Sequence, residues 1–90
     1  MNNQKKKTLI SLKKAQSLIS KIIEMSENNE YCIDMMQQNL AVIGLLKSAH
    51  QSILESHLGS CFAKAMKTNN EKRQKEMINE ILRVSKLANK

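Results

Sequence analysis

No proline interrupts the 90 residues, and glycine occurs only at positions 44 and 59. Proline and glycine are the strongest helix breakers, so this chain has little to stop helical propagation. Leu, Ile, Met, Lys, Glu, Gln and Ala, mostly good helix formers, dominate the composition. The expected fold class is all-α. A chain of 90 residues makes one domain, over 1–90, and a domain this short buries a thin core unless it is metallated, stapled or oligomeric. Self-association is therefore expected.

Hydrophobic spacing predicts three helices. Over about 8–27, Leu9, Leu12, Ile19, Ile22 and Ile23 recur at helical intervals, with Lys13, Lys14, Lys21 and Glu24 on the other side. Ser26-Glu27-Asn28-Asn29 breaks this pattern, and either asparagine is suited to cap the next helix. Over about 30–65, Ile33, Met36, Leu40, Ile43, Ile53 and Leu54 keep a helical period, joined by Cys32, His50, His57 and Cys61. The second helix is thus unusually long. Thr68-Asn69-Asn70-Glu71 fits a capping box, which opens a third helix over about 69–88. That helix carries Met77, Ile78, Ile81, Leu82 and Leu87 on one side and mostly charged residues on the other. Residues 1–7 read as a basic flexible tail. They lead into no long apolar stretch and so do not form a signal peptide, which points to a cytoplasmic protein.

The net charge of +7 suits a polyanionic partner, with duplex nucleic acid, anionic lipid and plain solubility all left open. Tyr31 and Phe62 are the only aromatic residues, too few for the stacking platforms of single-strand binders. No segment reaches the roughly 20 apolar residues needed to span a bilayer. No glycine-rich phosphate loop, acid–base carboxylate pair or supported nucleophile is present, so the chain does not read as an enzyme.

The two cysteines, in a reducing compartment, read as ligands or redox-active thiols and not as a structural disulfide. His57 and Cys61 lie one helical turn apart, and Cys32 falls on the same stripe within about 40°. Along a continuous helix Cys32 is roughly 37 Å from His57 and 43 Å from Cys61, so no single ion spans the three in one chain. An antiparallel, two-fold-related partner helix brings Cys32 of one subunit beside His57 and Cys61 of the other, giving two equivalent sites. The same distances exclude an intrachain disulfide. Two thiolates and an imidazole suit trigonal Cu(I), with Zn(II) plus a fourth donor such as water as the alternative. His50 shares the stripe but lies roughly 16 Å from Cys61 and stays outside the set. Met35, Met36, Met66 and Met77 read as core packing.

Tyr31-Cys32-Ile33-Asp34, followed by Leu54-Glu55-Ser56-His57-Leu58 and Cys61-Phe62, resembles the copper-sensitive operon repressor (CsoR) family of bacterial metal sensors. The spacing of Cys, His and Cys matches without a gap. The resemblance implies a three-helix protomer, an antiparallel dimer and a disc-like tetramer of two dimers. It also implies Cu(I) held by Cys32 with His57 and Cys61 of the partner subunit. Tyr31 then matches a tyrosine beside the ligands, and Glu80 resembles the family's third-helix glutamate after a short insertion.

The first helix departs from the family pattern of Arg-Leu-x-Arg-x-x-Gly-Gln, since Ser11-Leu12-Lys13-Lys14-Ala15-Gln16-Ser17-Leu18 stands there. A basic position of the second helix falls at Ile43. Lys5, Lys6, Lys7, Lys13, Lys14, Lys21 and Lys47 remain as phosphate contacts, or as a solvated face. Three functions are therefore in view. The first is a Cu(I)-responsive repressor whose apo form binds duplex operator DNA and whose metallated form lets go. The second is a persulfide- or redox-sensing repressor built on Cys32 and Cys61. The third is a copper-binding relative that has lost specific DNA recognition. Nickel- and formaldehyde-sensing relatives use N-terminal ligands or a proline that Met1-Asn2-Asn3 does not offer.

Overall fold

A computed structural model describes residues 3–88. It contains helices α1 (Asn3–Glu27), α2 (Cys32–His57), a π-helical turn (Leu58–Phe62), α3 (Ala63–Lys67) and α4 (Glu71–Ala88). The all-α expectation holds, with no strand among the described residues. The expected basic tail does not: α1 reaches back to Asn3, so Lys5, Lys6 and Lys7 are helical. The Thr8 hydroxyl donates to the Gln4 carbonyl at 2.8 Å within this added turn. Met1 and Asn2, also assigned to the tail, lie outside the described residues. The described residues fall into two compact units, one running through Ser56 and one from His57 onward.

The first unit is an antiparallel hairpin of α1 and α2, tied across by the Ser11 and Ser48 hydroxyls at 3.4 Å. Its turn does not use asparagine to start α2, as the sequence suggested, but to finish α1. Asn29 adopts a left-handed φ of 53°. Its N–H donates to the Ser26 carbonyl at 3.2 Å, and the Glu30 N–H donates to Met25 at 3.0 Å. That pair of bonds is a Schellman motif, which satisfies carbonyls left open at a helix end. The Tyr31 carbonyl then accepts from Asp34 at 3.1 Å and Met35 at 3.3 Å, opening α2. Asp34 in the first turn complements the positive end of the helix dipole.

The inner seam of the hairpin differs from the apolar faces expected. On α1 the shielded positions are Gln4, Thr8, Ser11, Ala15, Leu18, Ile22 and Met25, in alternating steps of four and three. On α2 they are Met35, Gln38, Val42, Leu45, Ala49, Ser52 and Ser56, with Leu54 near the end. These are paired coiled-coil seams, and small residues at their centre let the helices approach closely: Ala15 and Ala49 are each 2% exposed. The larger apolar residues point away. Leu9, Leu12, Ile19 and Ile23 of α1, with Ile33, Met36, Leu40, Ile43 and Ile53 of α2, are between 40% and 66% exposed. Each helix therefore has two apolar stripes, and the hairpin consumes the weaker one.

In the second unit α3 ends at Thr68, whose extended backbone (φ −82°, ψ 160°) breaks the helix. Its hydroxyl donates to the Ala65 carbonyl at 2.7 Å. The capping box expected of Thr68 and Glu71 is replaced by Asn70, whose Oδ1 accepts from the Arg73 N–H at 3.2 Å. Gln74 Nε2 reaches back to the carbonyls of Met66 (3.3 Å) and Thr68 (2.7 Å), fastening α4 to the end of α3. Met77 is the largest fully buried side chain, at 1% exposure, and Ile81 is half-buried. Ile78, Leu82 and Leu87, expected beside them, face outward.

Candidate metal centre

Cys32 is the first residue of α2, and its thiol is free and exposed. The Schellman turn just before it determines where that helix begins, and hence where this thiol stands. His57 closes α2 with ordinary right-handed helical backbone (φ −63°, ψ −46°), and its side chain is half-buried. Cys61 lies inside the π turn, free and exposed. The Ser60 hydroxyl donates to Cys61 Sγ at 3.8 Å.

The π turn corrects the uniform α-helix expected through residue 65. The α-helix ends at His57, and between Leu58 and Phe62 the backbone takes the wider i→i+5 pattern before α3. In an α-helix the fourth residue on overshoots a full turn; in the wider π turn it falls short of one. His57 and Cys61 still share a face, with the offset reversed. Single π turns inside α-helices occur frequently at functional sites. Nothing in Leu58-Gly59-Ser60-Cys61-Phe62 announces it, since glycine at 59 fits an α-helix interior as a modest penalty and no more.

Among the described residues, no three His, Cys, Asp or Glu side chains gather in one chain to hold an ion. Glu80, exposed on α4, does not complete a trio with His57 and Cys61, and His50 is exposed on α2. Tyr31, 67% exposed, adjoins Cys32 in sequence at the head of α2. The donor set of two free thiols and one imidazole contains no oxygen ligand. That chemistry fits a soft, low-coordinate cation such as Cu(I).

The seven lysines singled out in the sequence are all exposed, six on α1 and Lys47 on α2. Lys7, Lys14 and Lys21 recur every seven residues, or about 10.5 Å, and so run along one side of α1. Lys13, Lys14 and Lys21 line a shallow groove together with Ser17, Leu18 and Leu45. No helix among the described residues is long and apolar enough to cross a membrane.

The chain is similar to the copper-sensing transcriptional repressor CsoR of Mycobacterium ulcerans, 36% identical over 66 residues, which is 73% of this chain and 56% of that protein. It is 35% identical to CsoR of Mycobacterium tuberculosis over 63 residues, 70% of this chain and 53% of the relative. To CsoR of Bacillus subtilis it is 33% identical over 75 residues, 83% and 71%. The chain thus spans little more than half the length of its mycobacterial relatives. No solved structure matches it. The family described as metal-sensitive transcriptional repressor matches residues 4–86, a span that takes in both cysteines, His57 and the lysines of α1, and the chain belongs to that family.

Proposed function

We propose that the protein is a Cu(I)-responsive transcriptional repressor acting in the cytoplasm, whose metal-free form binds duplex operator DNA and whose copper-loaded form releases it. The observation that carries this is the donor set. Two free, exposed thiols and an imidazole stand on a family member, and among the described residues no three His, Cys, Asp or Glu donors gather within one chain. Cys32 of one subunit with His57 and Cys61 of the partner subunit completes the set in an antiparallel dimer. The outward apolar stripes of α1 and α2 are the surface such a dimer, and a tetramer of two dimers, would cover. The relatives named as copper sensors support copper as the metal, and the soft donor set supports Cu(I).

Regulation follows from linkage. If Cu(I) and DNA favour different arrangements of the assembly, each weakens the other by the same coupling free energy. The exposed lysines of α1 supply phosphate contacts, which give affinity without reading sequence. Tyr31 and Glu80 support the ligands from outside the coordination set.

The exposure of both free thiols also favours a second reading, in which oxidants or reactive sulfur link Cys32 to Cys61 of the partner subunit. One experiment separates the two. Reduced protein is titrated anaerobically onto a duplex from its own promoter, and fluorescence anisotropy is followed as Cu(I) is added. Release at about one copper per subunit is the expected result. Copper binding without a specific DNA complex would refute the repressor reading and leave a copper-binding relative. Release by a persulfide donor but not by Cu(I) would leave the thiol switch.

A further inference from the structure

A methionine that fills a core looks like Met77, which is 1% exposed. Met36 is instead 60% exposed, on the outward stripe of α2, and follows Cys32 by four residues in regular α-helix. Side chains four apart on a helix are neighbours, about 5–6 Å between Cβ atoms. Helical side chains also lean toward the N-terminus, which puts the turn bearing Cys32 within reach of the long Met36 thioether. Met35, the adjacent methionine, belongs instead to the shielded seam facing α1. Cys32 is a free, exposed thiol. A thiolate and a thioether are both soft donors suited to Cu(I), and the neutral thioether is a poor ligand for Zn(II) and for oxygen-seeking cations.

We propose that Cys32 and Met36 form a two-sulfur Cu(I) site within a single subunit. This rests on Cys32 being a copper ligand, and it adds a donor that the intersubunit set lacks. The pair lies wholly in the α1–α2 hairpin, so it needs neither His57 and Cys61 nor a second chain. Cu(I) bound there gains one thiolate sulfur and one neutral thioether sulfur, with loss of the thiol proton and no change of oxidation state. Cys32 is common to both donor sets, so copper held by the pair is already attached to one ligand of the intersubunit centre.

The test removes the intersubunit donors and watches methionine directly. A His57→Ala/Cys61→Ser double variant carrying ¹³C-labelled methionine methyls is titrated anaerobically with Cu(I). The Met36 methyl resonance should shift and saturate at about one copper per subunit, while that of buried Met77 stays in place. Zn(II) should leave the Met36 methyl unmoved. Adding Met36→Leu, which nearly conserves volume, should weaken Cu(I) binding at least about tenfold, the lower end of what losing support at a metal site costs. An unmoved Met36 methyl under saturating Cu(I), or equal affinity with leucine at position 36, would overturn the proposal. Failure of the repressor reading is distinguishable, because there the wild-type protein would not release DNA whatever the Met36 methyl does.

Discussion

Replacing Asn29 tests whether the turn that positions Cys32 is held as described. Asn29 has a left-handed φ of 53°, a conformation that costs an ordinary L-residue roughly 1–2 kcal/mol because Cβ crowds the following carbonyl oxygen. Asparagine offsets part of this through local polar contacts, and glycine avoids it altogether. Asn29→Ala should therefore destabilise the protein by about 1 kcal/mol, while Asn29→Gly should be close to neutral. For a domain of this size, 1 kcal/mol lowers Tm by about 4–8 °C. Far-UV circular dichroism melts at one fixed protein concentration read the difference, since association makes Tm depend on concentration. The Schellman bonds from Asn29 and Glu30 are made by backbone groups, so the wild type and both variants should bind the same number of Cu(I) ions once folded. An alanine variant as stable as the glycine variant would refute the left-handed turn and, with it, the placement of Cys32 at the first position of α2.

Met77→Ala removes the largest fully buried side chain and should cost about 2–5 kcal/mol in urea unfolding; a loss below about 1 kcal/mol would mean that α4 is not anchored there. His57→Ala should keep measurable Cu(I) affinity through the thiolates but no longer release DNA, and unchanged copper-induced release would sink the coupling role of His57. Replacing Lys7, Lys14 and Lys21 together by Gln should weaken operator binding and flatten the slope of log affinity against log salt by about 0.9 for each phosphate no longer neutralised. An unaltered salt slope would place these lysines off the DNA.

The all-α class was legible because it rests on local facts, the absence of breakers and helical spacing, while the three candidate donors were named from ligand chemistry alone. The inner seam was not legible, for a physical reason. Leu9, Leu12, Ile19 and Ile23 make a strong periodic stripe, but periodicity reports only that a face is apolar and not what it packs against. The hairpin packs instead on Ala15, Ala49 and Ser52, where small size permits close approach and hydrophobicity is a poor guide. Caps misled in a similar way. Asn29 and Asn70 carry the turn chemistry, yet one ends a helix and the other begins one, a difference set by whether the backbone is left-handed. The π turn left no mark in composition, because widening the helix changes hydrogen-bond registry and not residue preference.

The surplus apolar stripe makes Gly44 a reporter of what covers it. Gly44 lies in the interior of α2, has no positive φ, and a Cβ built on it would meet nothing within 4 Å in the subunit. Glycine in such a place costs roughly 0.5–1 kcal/mol relative to alanine, so in an isolated subunit Gly44→Ala should stabilise by that amount. The position follows exposed Leu40 by one turn and adjoins exposed Ile43, on the side of α2 away from α1. If a second copy of the chain packs over this stripe, the added methyl meets the partner's surface and the sign reverses, because overpacking a close interface costs typically 1–3 kcal/mol. The two cases separate in one series of urea melts across protein concentration. Destabilisation that grows as the protein is concentrated is the outcome expected of an antiparallel dimer formed through α2. Stabilisation by alanine at every concentration would mean that no copy covers this face, and the intersubunit pairing of Cys32 with His57 and Cys61 would have to be abandoned.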